Sequence, residues 1–133
     1  MVVTLDASDG HRDHVAIRDA TLTAVDASAH PVVATYLECL ARSSMTRWAE
    51  HMRTTGGGDA YLTMPELGTP DADITLVIDV EEHLATRWAA IRAHDSQASP
   101  YDDLPEELQH EFLATDRLRL VRGMEDLLAY GPT

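Results

Sequence analysis

Two histidines near the N-terminus have a spacing that could carry chemistry. His11 and His14 belong to the run Asp9-Gly10-His11-Arg12-Asp13-His14, which follows a short apolar stretch at residues 2–5. Residues three apart in a helix are neighbours on its surface, so both imidazoles would share one face of a first helical turn. Imidazoles at that place can bind a metal ion or polarise a carbonyl group. A solvated helix start is the alternative interpretation, because a chain with seven histidines also yields such spacings by chance.

The elements around this turn predict an α/β fold. Residues 2–5 should form a short buried strand, residues 6–10 a loop, and residues 11–27 a helix. Three further strands are predicted at 32–37, 73–80 and 118–122, and three further helices at 41–54, 80–94 and 105–114. Alternating strands and helices favour a largely parallel sheet, with sites at the carboxyl ends of its strands.

Composition bounds the possible functions. A chain of 133 residues predicts one domain, residues 1–133. Its 23 acidic and 10 basic residues give a formal net charge of −13, which argues against nucleic acid or an anionic membrane as partner. No stretch is long enough to span a membrane, and no secretory signal is evident. Cys39 is the only cysteine, which excludes an intrachain disulfide and fits a cytoplasmic protein.

Several other conspicuous residues have structural interpretations. The stripe that contains Trp48 and Met52 should face the core, as should Cys39. The glycines at 56–58 predict a helix C-cap and loop, because no Lys-Ser/Thr follows as in a phosphate-binding loop. The remaining helical histidines are interpreted as surface or hydrogen-bonded residues; they are His51, His83, His94 and His110.

Two patches of the chain resemble the PIG-L (LmbE-like) family of zinc-dependent N-deacetylases. The first patch joins Val2-Val3-Thr4 to the run at residues 9–14. The second begins at Asp73-Ile74-Thr75 and includes Trp88-Ala89-Ala90-Ile91-Arg92-Ala93-His94 and Ser96-Gln97. The resemblance extends from residue 1 to about residue 122. It implies a Rossmann-like three-layer sandwich, a Zn²⁺ cofactor, and a small-molecule substrate that is an N-acetylglucosamine conjugate or a related amide.

The resemblance also implies roles for the turn. The family has a His-Pro-Asp-His motif, which His11-Arg12-Asp13-His14 matches with arginine in place of proline. By that match His14 is a zinc ligand and His11 is an electrophilic or acid group for the tetrahedral intermediate. Asp13 would orient an imidazole. Some relatives place a tyrosine two residues before the first histidine; Asp9 stands there, so that oxyanion donor is missing.

The family's Ala-His-Pro-Asp-Asp motif, which holds its other zinc ligands and its general base, is absent. The only His-Pro, at His30-Pro31, precedes two valines. The sequence therefore resembles the C-terminal half of the family's domain, apparently truncated at its N-terminus, and we expect the isolated chain to be inactive. Two alternatives stay open. The chain could be a non-catalytic α/β module that forms a homo-oligomer or binds a partner through an exposed sheet edge, or the reading frame could begin upstream of Met1.

Overall fold

The computed structural model describes residues 1–56 and 66–123, and these form a four-stranded sheet with four α-helices. In chain order the elements are β1 (Val2–Leu5), α1 (Arg12–Ala27), β2 (Ala34–Glu38), α2 (Arg42–Thr55), β3 (Leu76–Asp79), α3 (Leu84–Arg92), α4 (Glu106–Leu113) and β4 (Thr115–Gly123). Short 3-10 turns precede β3 and α3. The predicted elements are thus confirmed in type and order. Residues 57–65 and 124–133 lie outside the described residues, and with them the prediction made for Gly57 and Gly58.

The sheet is mixed, so the prediction of a largely parallel sheet is wrong. Its strand order is β1-β2-β4-β3; β1 and β2 are parallel, whereas β4 is antiparallel to both β2 and β3. The reason lies between β3 and β4, where two helices occur in succession. The chain leaves β3 at Asp79 and returns beside it at Thr115, and the Val80 N–H donates to the Ala114 carbonyl oxygen at 2.8 Å. A single crossover helix would have returned the chain to the opposite end of the strand.

Helix α1 lies against β1 with modest burial. The Thr4 hydroxyl donates to the Thr21 hydroxyl at 3.3 Å, and Arg122 of β4 pairs with Asp26. No residue of α1 is fully buried, and Ile17 is 50 % exposed. Elsewhere α4 packs on β4 and on α2. The described helices therefore establish an α/β arrangement but not the three-layer sandwich that the resemblance implies.

The main hydrophobic core lies between α2 and α4. Its buried members are Met45, Leu104, Leu108, Phe112 and Leu113. The predicted core face of α2 is confirmed in part, because Met45 is buried while Trp48 and Met52 are half-buried. Cys39 is buried as predicted. Helix α2 ends at Gly56, whose φ of +77° is the left-handed conformation expected of a C-cap glycine. None of the described helices is long and apolar enough to cross a membrane.

Candidate active site

The turn at residues 9–14, which contains His11 and His14, follows the carboxyl end of β1 after a short hydrogen-bonded loop. Ala7 has a φ of +62°, which is unusual for a residue other than glycine, and the Gly10 N–H donates to the Ala7 carbonyl oxygen at 3.1 Å. Gly10 itself has a φ of +77°, where a side chain would be strained. The Ser8 carbonyl oxygen accepts from the Gly68 N–H at 2.8 Å, which ties the loop to the chain ahead of β3.

A buried carboxylate anchors the start of this loop. Asp6 is 6 % exposed, and its side chain accepts hydrogen bonds from Arg119 of β4 at 2.6 Å and from the Thr69 hydroxyl. Its backbone N–H donates to the Glu38 carbonyl oxygen at 2.8 Å. A buried charge is tolerated when it is paired and hydrogen-bonded in this way. Asp6 therefore fixes the loop to β2, β4 and the segment around Thr69.

Asp9 contacts the ring of His14 and the backbone of His11. Its Oδ2 lies 2.6 Å from Nδ1 of His14, and its Oδ1 accepts from the His11 backbone N–H at 3.0 Å. An ionised carboxylate can only accept hydrogen bonds, so Nδ1 of His14 carries the proton in this contact. Nε2 of a neutral His14 then keeps its lone pair. A carboxylate that holds Nδ1 is the usual support of a histidine that binds a metal ion or takes up a proton through Nε2.

The imidazole of His11 has the opposite tautomer, with its proton on Nε2. Its side chain caps α1, because Nδ1 accepts from the Asp13 backbone N–H at 3.3 Å. A neutral imidazole whose Nδ1 accepts carries its proton on Nε2, so His11 offers a hydrogen-bond donor. The two ring centroids are 4.7 Å apart. The turn therefore presents one imidazole donor beside one imidazole acceptor, an arrangement that can stabilise an oxyanion and hold an electrophile or a proton next to it.

All three residues predicted for the site lie in this turn, but the carboxylate contact differs from the expected one. Asp9, rather than Asp13, contacts the imidazole of His14, and Asp13 contacts His11 through its backbone N–H. Sequence analysis noted Asp9 only as the replacement of a tyrosine. The signal that could have found it is Gly10, since a left-handed glycine directly after Asp9 allows the loop to bend back over the first turn of α1.

The described residues do not form a complete zinc site. They contain no group of three or more histidine, cysteine, aspartate or glutamate side chains that could hold a metal ion. His14 has the geometry of one ligand, whereas catalytic zinc takes three protein ligands. The buried Cys39 directly follows β2, but burial and then the charge of Asp6 raise the pKa of its thiol to about 11, so it remains protonated near neutrality.

Two adjoining cavities form a cleft along this edge of the sheet. The polar one, of about 200 Å³, lies over the ends of β1 and β2, and the apolar one, of about 300 Å³, extends toward α2 and α4. Asp9, His14, Leu40 and Tyr101 line both.

Burial, followed by the charge of Glu38, raises the pKa of Tyr101, which keeps its phenol protonated as a potential donor. Sequence analysis missed Tyr101 because it lies in a loop without a recognisable motif.

The chain is similar to curated bacterial proteins named 1D-myo-inositol 2-acetamido-2-deoxy-α-D-glucopyranoside deacetylase. It is 29 % identical over 144 residues to the protein of Geodermatophilus obscurus, which covers 92 % of this chain and 49 % of that protein. It is 26 % identical over 133 residues to that of Acidothermus cellulolyticus, covering 92 % and 46 %. It is 33 % identical over 109 residues to that of Actinosynnema mirum, covering 77 % and 38 %.

The chain thus spans about half, or less, of the length of these relatives. No family model matches the chain. No solved structure matches it either.

Proposed function

We propose that this chain forms one side of a site that removes the acetyl group from an N-acetylglucosamine conjugate. The observation that carries the proposal is the pair of neighbouring imidazoles in opposite tautomers after the carboxyl end of β1, with Asp9 at Nδ1 of His14 and the Asp13 N–H at Nδ1 of His11. The three relatives described above support the same chemistry, since each is named as a deacetylase of an N-acetylated glucosaminyl inositol.

His11 acts on the oxygen and nitrogen of the amide. When water adds to the carbonyl carbon, negative charge develops on the carbonyl oxygen, and a donor at Nε2 of His11 stabilises it. The attacking water loses one proton, which the general base that the resemblance places in the Ala-His-Pro-Asp-Asp motif would take up. The amine that leaves when the C–N bond breaks gains one proton, which Nε2–H of His11 can deliver. Acetate and the free glucosamine conjugate are then the products.

His14 is the candidate zinc ligand, and Asp9 supports it by holding Nδ1. Because the described residues supply no complete zinc site, we do not expect residues 1–133 alone to hold the ion tightly or to turn the substrate over. We expect them instead to bind the N-acetylglucosaminyl group in the cleft. Binding and turnover are therefore separate readouts of the proposal.

The test is a titration of residues 1–133 with 1D-myo-inositol 2-acetamido-2-deoxy-α-D-glucopyranoside, together with an assay for released amine. We expect saturable binding that is weakened about tenfold in His11→Gln, the loss expected for one hydrogen bond to the amide. His83→Gln is the matched control, because His83 is an exposed histidine of the 3-10 turn before α3 and lies outside the turn that contains His11 and His14. Absence of binding, or equal binding by the two variants, would contradict the proposal.

A second candidate is association through the edge of β1. Among the described strands β1 pairs only with β2, and exposed apolar side chains lie on or beside it, with Val3 46 % and Met1 67 % exposed. Unpaired strand edges are templates for another strand. Light scattering at about 10–100 μM protein tests this candidate: a dimer that Val3→Lys dissociates supports it, and a monomer over the whole range rejects it.

A further inference from the structure

The apolar cavity has no part in the chemistry proposed for His11 and His14. Asp9 and His14 are among the residues that line its volume of about 300 Å³. The rest of its lining is hydrophobic or aromatic, and consists of Leu40, Met45, Trp48, Pro100, Tyr101, Leu104 and Phe112. A concave site with apolar walls and a few polar groups is typical of pockets that bind small organic molecules.

Some side chains that line this cavity are only half-buried by their packing against the core. Met45, Leu104 and Phe112 are buried, but Leu40, Trp48 and Tyr101 remain half-buried although they pack against the same cluster. Tyr101 is held between two rings, with centroid distances of 6.4 Å to Trp88 and 6.2 Å to Phe112. The cavity therefore has a positioned aromatic wall with apolar surface left to cover.

The chemistry of the occupant follows from the lining. Hydroxyl groups placed against Leu40, Met45 and Phe112 would lose their hydrogen bonds to water without replacement, so a polyol is disfavoured in this cavity. An alkyl chain or an aryl ring would gain by leaving water. Asp9 and His14 line both cavities, so with the amide held at His14, as the proposed function requires, a group in the apolar cavity must be attached close to that amide.

We propose that the apolar cavity is a subsite for an alkyl or aryl group carried by the substrate next to its N-acylglucosamine amide. This inference rests on the proposed function and adds to its substrate class conjugates that carry an apolar substituent, which should bind more tightly than conjugates without one. The substituent has two possible sources, the N-acyl group and the aglycone. Both present the same apolar surface to the cavity wall.

The experiment is calorimetric titration of residues 1–133 with two ligand series. The first series holds a methyl aglycone constant and lengthens the acyl group from acetyl to butanoyl to hexanoyl. The second holds the N-acetyl group constant and lengthens the aglycone from methyl to propyl to pentyl. We expect the Kd to fall by up to about fifteenfold for each two methylenes in one series, and that series identifies the source.

Two matched variants test whether the gain in affinity with chain length arises in the apolar cavity. Leu40→Gln introduces a polar group into the wall and should reduce the gain per two methylenes by about threefold or more. Leu84→Gln alters a half-buried leucine that packs on the same core without lining the cavity, so it should keep the full gain. Nuclear Overhauser contacts between the alkyl chain and the Trp48 ring in the unmodified protein give a second test that does not depend on a variant folding.

The outcomes separate this inference from the proposed function. A Kd that is flat in both series, or contacts of the chain outside the cavity, overturns the apolar subsite while leaving N-acetylglucosamine binding intact. Matched alkyl glucosides without the amide supply the other comparison. If they bind as tightly as the glucosaminides and show the same gain with length, the apolar subsite stands and the proposed function falls.

Discussion

The two halves of the cleft are built in different ways. The polar half adjoins a local turn: Asp9, His11, Asp13 and His14 lie within six residues, the hydrogen bonds that orient them join members of the same turn, and two of them, Asp9 and His14, line the cavity. The apolar half has no such local unit, because its lining beyond Asp9 and His14 extends from Leu40 to Phe112. Single substitutions in one turn can therefore change the chemistry of the cleft, whereas its shape depends on the packing of distant segments.

The largest effect is expected in the apolar half. Phe112→Ala removes a ring that is 9 % exposed in the main core and lines the cavity, so it should lower the free energy of unfolding by about 3–5 kcal/mol. Asp9→Asn, in the polar half, should change that free energy by less than about 1 kcal/mol. Urea unfolding of both variants measures the contrast, and equal losses would show that the polar turn is also part of the structural core.

The next effect is expected at the anchor beneath the polar half. Asp6→Asn leaves Arg119 without its carboxylate partner and should cost about 2–3 kcal/mol, less than for a fully buried pair because the Arg119 side chain is 35 % exposed. Asp19→Asn is the control, since its ion pair with Arg18 is exposed and should contribute less than about 0.5 kcal/mol. Thermal unfolding distinguishes the two, and similar shifts would remove Asp6 from its role as anchor.

Cys39, beneath the polar cavity, should react slowly. Its thiol pKa is raised to about 11 from 9.0, so at pH 8 the thiolate population, and hence the alkylation rate, should be about 100-fold below that of the urea-unfolded chain. Because the native state keeps this proton more strongly, the contribution of Cys39 to stability is present below pH 9 and is lost as the pH rises toward 11. Iodoacetamide labelling that proceeds at equal rates in native and unfolded protein would contradict the expected burial.

The smallest effect concerns the orientation of His14. Asp9→Asn removes the carboxylate that holds Nδ1, and loss of such a partner typically weakens metal affinity about 10- to 100-fold. Asp13→Asn is the matched control, because Asp13 contacts His11 through its backbone N–H. Zn²⁺ titration followed by the NMR signals of His14 compares the two. Equal weakening by both variants would assign the supporting role to Asp13 as well.

Sequence patterns were sufficient for the elements and for the turn between β1 and α1 that contains His11. Apolar periodicity gave α1 and α2 within about one residue at each end, and the loop composition before His11 gave the turn. These features depend on local chemistry: Gly10 permits the turn, and His11 caps the helix that follows it. The same information could not show that Asp9 would be the carboxylate on His14, which depends on the backbone path through Ala7 and Gly10.

The direction of β4 and the apolar half of the cleft were beyond the sequence patterns. An alternation of strands and helices predicts parallel neighbours, but the consecutive helices α3 and α4 return the chain to the end of β3 that it left. The sequence predicts Trp48 as a core residue and places Tyr101 in a loop. Only the packing of distant segments beside the site places both side chains in the wall of one cavity. Such long-range arrangements leave no periodic signal in the chain.

Two-dimensional ¹⁵N NMR, at a pH where both histidines are neutral, measures the tautomers on which the proposed site depends. We predict the Nδ1–H tautomer for His14, because Asp9 accepts that proton, and the Nε2–H tautomer for His11, because its Nδ1 accepts from the Asp13 N–H. Opposite tautomers would show the Nε2–H donor proposed for His11 and the Nε2 lone pair proposed for His14. If both histidines carry the proton on Nε2, the complementary pair does not exist and the proposed site loses its basis.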